Sequence, residues 1–489
     1  MSRTMVEESA RKLHGSLGVP AIVFMVVAAA APLTVIAGVV PIGFAFGNGA
    51  GFPAMFALVG VLLLLFSVGF TTMTRHVPKP GAFFTYIAHG LGRPAGLAAA
   101  YAAILCYMAI EVGVLGYIGY EFNDGVNHYL HANIHWSVYT AVALIAVGWL
   151  GARHVELSAR VLAVLLSLEL TIVLLISLVA LGKGGAHGLN LTSFTPSTVT
   201  AGAPSLALMF AAASFIGFEA TAIFRDEAVN PHRTVPRATY AAVVVVGLFY
   251  TFASWAFVMA WGSGDVVKRA ATDPNFLFST ARAELGGVGE FVTHLLVITS
   301  IFAAVLAFHT ITTRYLHALS LAGALPSYLS GVHRRDGAPS SASITTTVAS
   351  GILVVICLIA GMDPYLKMFT WFVGLGSMVY IMLLAVCTVA VLVYFARAGL
   401  SGESWWAVRL APVLALIGLA WSAWITAKNF PLLVGDVNSA GNPVFGKVSI
   451  FLLALIGVAV VGGLVQAFIL RARNAAAYDE IADADIAAA

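Results

Sequence analysis

Ala28-Ala29-Ala30-Ala31-Pro32-Leu33-Thr34-Val35-Ile36-Ala37-Gly38 lies in the middle of an apolar run that starts at Val19 and reaches past Pro41. Pro32 has no N–H, and its fixed φ suits the first residue of a helix better than the interior of one. The run therefore reads as two half-helices, one ending near Ala30 and one starting at Pro32. A second interruption, Ser214-Phe215-Ile216-Gly217-Phe218-Glu219, stands in the run from about Ala201 to Phe224. Lipid cannot satisfy backbone groups freed by a break, so such breaks persist where they line a polar cavity. Two of them in corresponding halves of a chain point to the substrate site of a transporter.

The rest of the chain fits that setting. Apolar residues make up 60% of the 489 and charged residues 10%, where globular chains carry roughly a quarter charged. Mean hydropathy is +0.94. Apolar runs of about 20 residues recur, each long enough to cross a bilayer. We place twelve spans near 19–45, 50–74, 95–120, 136–152, 159–182, 201–224, 237–262, 288–316, 341–361, 365–396, 407–430 and 447–471. The expected class is an all-α polytopic membrane protein with the lipid bilayer as its main partner. The net charge of +3 gives no reason to expect nucleic acid as a partner.

An even number of spans puts both termini on one side. If the N-terminus is cytoplasmic, eighteen of the 25 Lys and Arg fall on the inside and seven outside. The translocation bias demands that excess, so the expected location is the cytoplasmic membrane with both termini inside. The interrupted spans are the first and the sixth. Two units of five spans follow, and because five is odd the second enters the membrane upside down: an inverted repeat with spans 11 and 12 outside it. The domains read as a cytoplasmic arm over 1–18, a core over 19–400, spans 11–12 over 401–473 and a disordered acidic tail over 474–489. No cofactor is expected, and the sequence does not indicate an oligomeric state.

Candidate chemistry centres on the breaks. The amides of Leu33, Thr34 and Val35 open a half-helix whose positive dipole end attracts an anion, and Ala31 and Pro32 shape the turn. In the sixth span Phe215, Ile216, Gly217, Phe218 and Glu219 form the matching element. A carboxylate at bilayer depth costs at least ~2.5 kcal/mol on insertion scales, so Glu219 must be neutral, paired or wet. It is a candidate receptor for a substrate ammonium or a proton. Glu111, one turn after Tyr107, and Glu169, after Ser167, are further candidate proton carriers, and His309 is either substrate-adjacent or a satisfied core histidine. His128, His131 and His135 share a spacing a metal could use, but they sit in a segment that reads as a short loop, and no metal site is assigned. Cys106, Cys357 and Cys387 lie in apolar runs and read as small buried side chains. Two loops stand out. Pro78–Tyr86 joins spans 2 and 3. Arg225–Arg237 joins spans 6 and 7, with Pro236 near the start of span 7; its Arg225, Asp226, Glu227 and Arg233 read as a cytoplasmic gate of ion pairs or as a solvated loop.

Over roughly residues 17–400 the chain resembles the amino acid–polyamine–organocation superfamily of permeases. Phe215-Ile216-Gly217-Phe218-Glu219, the acidic pair Asp226-Glu227, Asn230-Pro231 and Arg233-Thr234-Val235-Pro236-Arg237 are similar to the family's sixth-span signature. Pro80-Gly81 to Tyr86 with Gly90-Leu91-Gly92, and Leu319–Pro326, resemble two further family segments. The resemblance implies secondary transport of amino acids or related amines by alternating access, a site at the two breaks, and in many members proton coupling. It places Glu219 at an acidic position tied to substrate and proton sensing in some relatives. The usual Gly-Ser-Gly of the first span is replaced by Thr34-Val35-Ile36. Glu169 falls where several proton-coupled relatives hold a lysine, beside the contact of spans 1 and 8. There a carboxylate either carries a proton or helps hold Na⁺ with Thr299 and Ser300. The expected function is a proton-coupled permease for amino acids or amines. An amine or polyamine exchanger, a Na⁺-coupled symporter, a passive channel and a sensor without flux are the alternatives. No Gly-x-Ser-x-Gly nucleophile signature is present, and an enzyme is not expected.

Overall fold

The computed structural model describes residues 17–77, 83–153, 159–333, 337–399 and 402–481, with the side chains at 29, 159–162, 223–227 and 480 outside that description. Its elements are helices; among the described residues the extended backbone amounts to two isolated bridges, Leu17 with Ala228 and Val437 with Pro443. Among the described residues, eleven helices are long and apolar enough to cross a membrane. They match eleven of the twelve expected spans. The fourth, Trp136–Ala152, is apolar but has 17 residues, at the short limit for crossing a bilayer.

The first span is α1 (Val19–Ala29), then α2 (Pro32–Thr34), a wide turn over Val35–Val39 and α3 (Val40–Phe46). The wide turn has a local cause: Pro41 has no N–H to return to the carbonyl four residues back, so the ladder loosens there. Next come α4 (Phe52–Thr74), α5 (Phe83–Leu91), α6 (Arg93–Leu130), α7 (Trp136–Ala152) and α8 (Ala159–Gly182). The sixth span is α9 (Pro204–Ala213), a turn over 214–217 and a tight helix over Phe218–Glu227. It leads into α10 (Pro231–Trp261), α11 (Asp265–Thr272), α12 (Phe276–Leu321) and α13 (Ser340–Ile359). The chain ends with α14 (Thr370–Ala398), α15 (Ala411–Val434), α16 (Lys447–Arg473) and α17 (Ala475–Glu480).

Two groups of helices emerge from the packing. α6, α7, α12 and α13 pack against one another; α10 packs against α1, α4 and the Phe218–Glu227 helix, and α9 against α4. α8 touches both groups, and α2 meets the first group through α12.

Four segments differ from the sequence reading. Phe83–Tyr86, read as loop, opens α5, because Phe83, Phe84, Tyr86 and Ile87 bury one face; residues 78–82 lie outside the described residues. α10 starts at Pro231, ahead of the expected 237, and so takes Pro236 inside the helix, in its second turn. His128 belongs to α6, His131 leaves it at φ 53°, and His135 caps α7, where its ring accepts from the Ser137 N–H. The tail after Arg473 is not wholly disordered. Alanine favours helix, the Asn474 side chain accepts from the Ala477 N–H at 3.1 Å, and Ile481 is buried. Arg93 Nε and Nη2 donate to the Asp479 carbonyl at 3.2 and 3.0 Å. The arm before Leu17 and residues 482–489 lie outside the described residues.

Candidate functional site

Both breaks occur where the residues demand them. Ala31 takes a left-handed conformation, φ 44° and ψ 67°, which an L-residue with a Cβ adopts at a cost of about 1–2 kcal/mol. Pro32 follows at the first position of the next half-helix. Gly217 sits at φ 111°, a region open to glycine and strained for other residues. The breaks put Thr34 and Glu219 inside the protein, both buried.

Glu219 stitches the sixth span to its neighbours. Tyr107 Oη on α6 donates to Glu219 Oε1 at 2.8 Å, the Gly217 N–H donates to Oε2 at 2.9 Å, and Tyr380 Oη on α14 donates to Oε2 at 3.3 Å. Tyr315 from α12 closes the group, its ring centroid 5.7 Å from that of Tyr107. Tyr107, placed one turn before Glu111 in the sequence reading, serves Glu219 instead. Neither Tyr380 nor Tyr315 had a signal in the sequence, since nothing local distinguishes a site tyrosine from a packing one.

Glu169 on α8 forms the second cluster. Ser300 Oγ on α12 donates to Glu169 Oε2 at 2.8 Å, and the Thr34 N–H and Oγ1 lie 3.2 and 3.1 Å from Ser300 Oγ. The Leu33 backbone also interacts with Glu169. Of the two hydroxyls expected here Ser300 is present, whereas Thr299 donates to the Leu296 carbonyl of its own helix at 2.9 Å. Ser167 likewise bonds its own helix, at Ala163. The Leu33 backbone meets an anion directly and the Thr34 amide reaches it through the Ser300 hydroxyl, and that anion belongs to the chain.

Glu111 and His309 come together in a third cluster. His309 Nδ1 lies 2.9 Å from Glu111 Oε1, and Nε2 lies 3.0 Å from Ser343 Oγ on α13. Ser343 Oγ donates to the Gly148 carbonyl of α7 at 3.2 Å. A Cβ at Gly151 would meet the His309 ring at 3.0 Å, so α7 approaches the imidazole at a glycine. His309 and Glu111 are both 0% exposed. The order serine, histidine, carboxylate is that of a hydrolase triad, but here it is sealed in helix packing.

Of the remaining candidates, Phe215 packs on Tyr250 with centroids 6.3 Å apart, and Phe218 on Phe66 at 5.9 Å. Ile216 is buried, and Val35 opens the wide turn. The side chains of Arg225, Asp226 and Glu227 lie outside the described residues, and Arg233 is exposed in the first turn of α10.

A helical membrane protein whose first and sixth spans come apart around buried carboxylates has the architecture of a secondary transporter. Residues 17–464 match the amino acid permease family, and the chain belongs to that family. It is 21% identical over 309 residues to the mouse Asc-type amino acid transporter 1, across 62% of this chain and 57% of the relative. It is 22% identical over 308 residues to the human large neutral amino acids transporter small subunit 2, across 61% and 56%. With the serine/threonine exchanger SteT of Bacillus subtilis (strain 168) it shares 23% over 253 residues, 49% of this chain and 55% of that one. The matched stretch thus spans little more than half the length of these relatives. The fold is shared with the crystal structure of MhsT in complex with L-phenylalanine: TM-score 0.55 at 14% identity, over 84% of this chain and all of that one.

Proposed function

We propose that the protein is a secondary active permease for an amino acid or a related amine, working by alternating access and coupled to protons. The observation that carries this reading is Glu219: a buried carboxylate at the break of the sixth span, hydrogen-bonded to α6, to α14 and to the Gly217 amide. The relatives named above transport amino acids, which supports the substrate class. In this reading the cargo binds between the two breaks and opens the Tyr107–Glu219–Tyr380 contacts as the groups move. Glu169, Ser300 and Thr34 form the coupling site, which carries a proton between α8, α12 and α2; Na⁺ held by the same oxygens is the alternative. The termini face the cytoplasm, as the Lys and Arg distribution demands.

Glu219→Gln keeps the shape of the side chain and removes its charge. Uptake into proteoliposomes by this variant is expected to fall to the level of empty vesicles while the purified protein stays folded. Transport at the native rate would refute the role of Glu219.

A further inference from the structure

The backbone donors at both breaks can be followed one by one. In the first, the Ala31 N–H donates to the Ala28 carbonyl at 3.1 Å and Pro32 has none. The Leu33 backbone interacts with Glu169, and the Thr34 N–H donates to Ser300 Oγ. The Val35 N–H donates to the Ala31 carbonyl at 3.3 Å. In the second, the amides of Ser214, Phe215 and Ile216 donate to carbonyls of α9, and those of Phe218 and Ala220 to the carbonyls of Phe215 and Gly217. The Gly217 N–H donates to Glu219 Oε2, and the Glu219 amide turns to its own carboxylate. The amides of Ala31, Thr34, Val35, Ser214, Phe215, Ile216, Gly217, Phe218 and Ala220 thus donate within the chain, and those of Leu33 and Glu219 face the Glu169 and Glu219 carboxylates. Those at the mouths of the half-helices serve two resident glutamates, directly or through Ser300.

A guest carboxylate needs such donors. To obtain them here it would have to displace Glu169 or Glu219 and then lie beside both. No Lys or Arg occurs in 19–46, 97–152, 163–182, 204–222, 238–261, 283–313 or 368–396 to offset a third anion. Acceptor chemistry is what remains. Tyr315 Oη and Tyr250 Oη are buried without a hydrogen-bond partner, and each lies near enough to feel one of the carboxylates, Tyr315 that of Glu219 and Tyr250 that of Glu169. An ammonium donates to carboxylate and phenol oxygens and is also attracted to the faces of tyrosine rings.

We propose that the cargo is an organic amine without a free carboxylate. The proposal rests on the permease reading of the same site and narrows it. It is tested by counterflow in liposomes, with protein-free vesicles as the control for passive diffusion. The labelled probes are tyramine against tyrosine, phenethylamine against phenylalanine and cadaverine against lysine, together with the methyl esters of the three acids. At least one amine and its matching ester should exchange ten times faster than the parent acid. Faster exchange of the free amino acids would overturn the proposal and leave the permease reading standing. If neither class exchanges above the control, both fall.

Discussion

The Glu111 cluster and the two clusters at the breaks are built from the same materials and joined to different things. Glu111, His309, Ser343 and Gly148 lie on α6, α12, α13 and α7, all four members of one packing group. Glu219 and Glu169 reach across: the first ties the sixth span to α6 and α14, the second ties α8 and α12 to α2. A titratable group that bridges two bodies changes its surroundings when they move, whereas one enclosed in a single body keeps them. The difference teaches that burial and chemistry alone do not single out a working carboxylate. What its partners belong to decides the matter.

That contrast can be broken experimentally. The largest effect is expected from Glu219→Gln, which removes transport altogether. His309→Ala comes next: it leaves the buried Glu111 carboxyl without its hydrogen-bond partner, and a buried group left unsatisfied costs about 1–3 kcal/mol. Its signature is a lower melting temperature, with the pH dependence of transport in the surviving protein unchanged. An altered pH dependence at native stability would move this cluster into the transport cycle. Glu169→Gln should do the reverse. It keeps stability near native while uptake stops responding to an inward pH gradient, and an unchanged response would remove Glu169 from coupling.

Smaller effects follow from the backbone and the tail. Gly217→Ala forces a Cβ into φ 111°, and strain of this kind costs about 1–3 kcal/mol; thermal unfolding in detergent would show it. Arg93→Ala releases α17 from α6, including the Tyr478 ring 5.5 Å from the guanidinium. The Arg93–Asp479 pair is largely exposed, so the loss should be at most about 1 kcal/mol.

Much of this was legible in the residues. Pro32 and Gly217 mark the breaks because each has a single conformational use, and apolar runs mark the spans because the bilayer sets their length. Glu169 and Ser300 could be paired through the resemblance. The pairings across long sequence distances were hidden: Tyr380 with Glu219, His309 with Glu111, Ser343 with Gly148. A hydroxyl in a span bonds its own helix as readily as a neighbour, and Thr299 and Ser300, adjacent in sequence, take one option each. The helix of α5 was missed because proline and glycine just before it, at Pro80 and Gly81, read as loop, and the tail helix because its acidic charge outweighed its alanines.

The account turns on the cargo lying between the two interrupted spans. An electron cryo-microscopy map of the protein in nanodiscs, saturated with a transported amine, tests this most directly. It should show ligand density between Ala31–Pro32 and Ser214–Glu219, with nitrogen near the Glu219 carboxylate. Density at any other place, with those breaks closed around nothing, would contradict it.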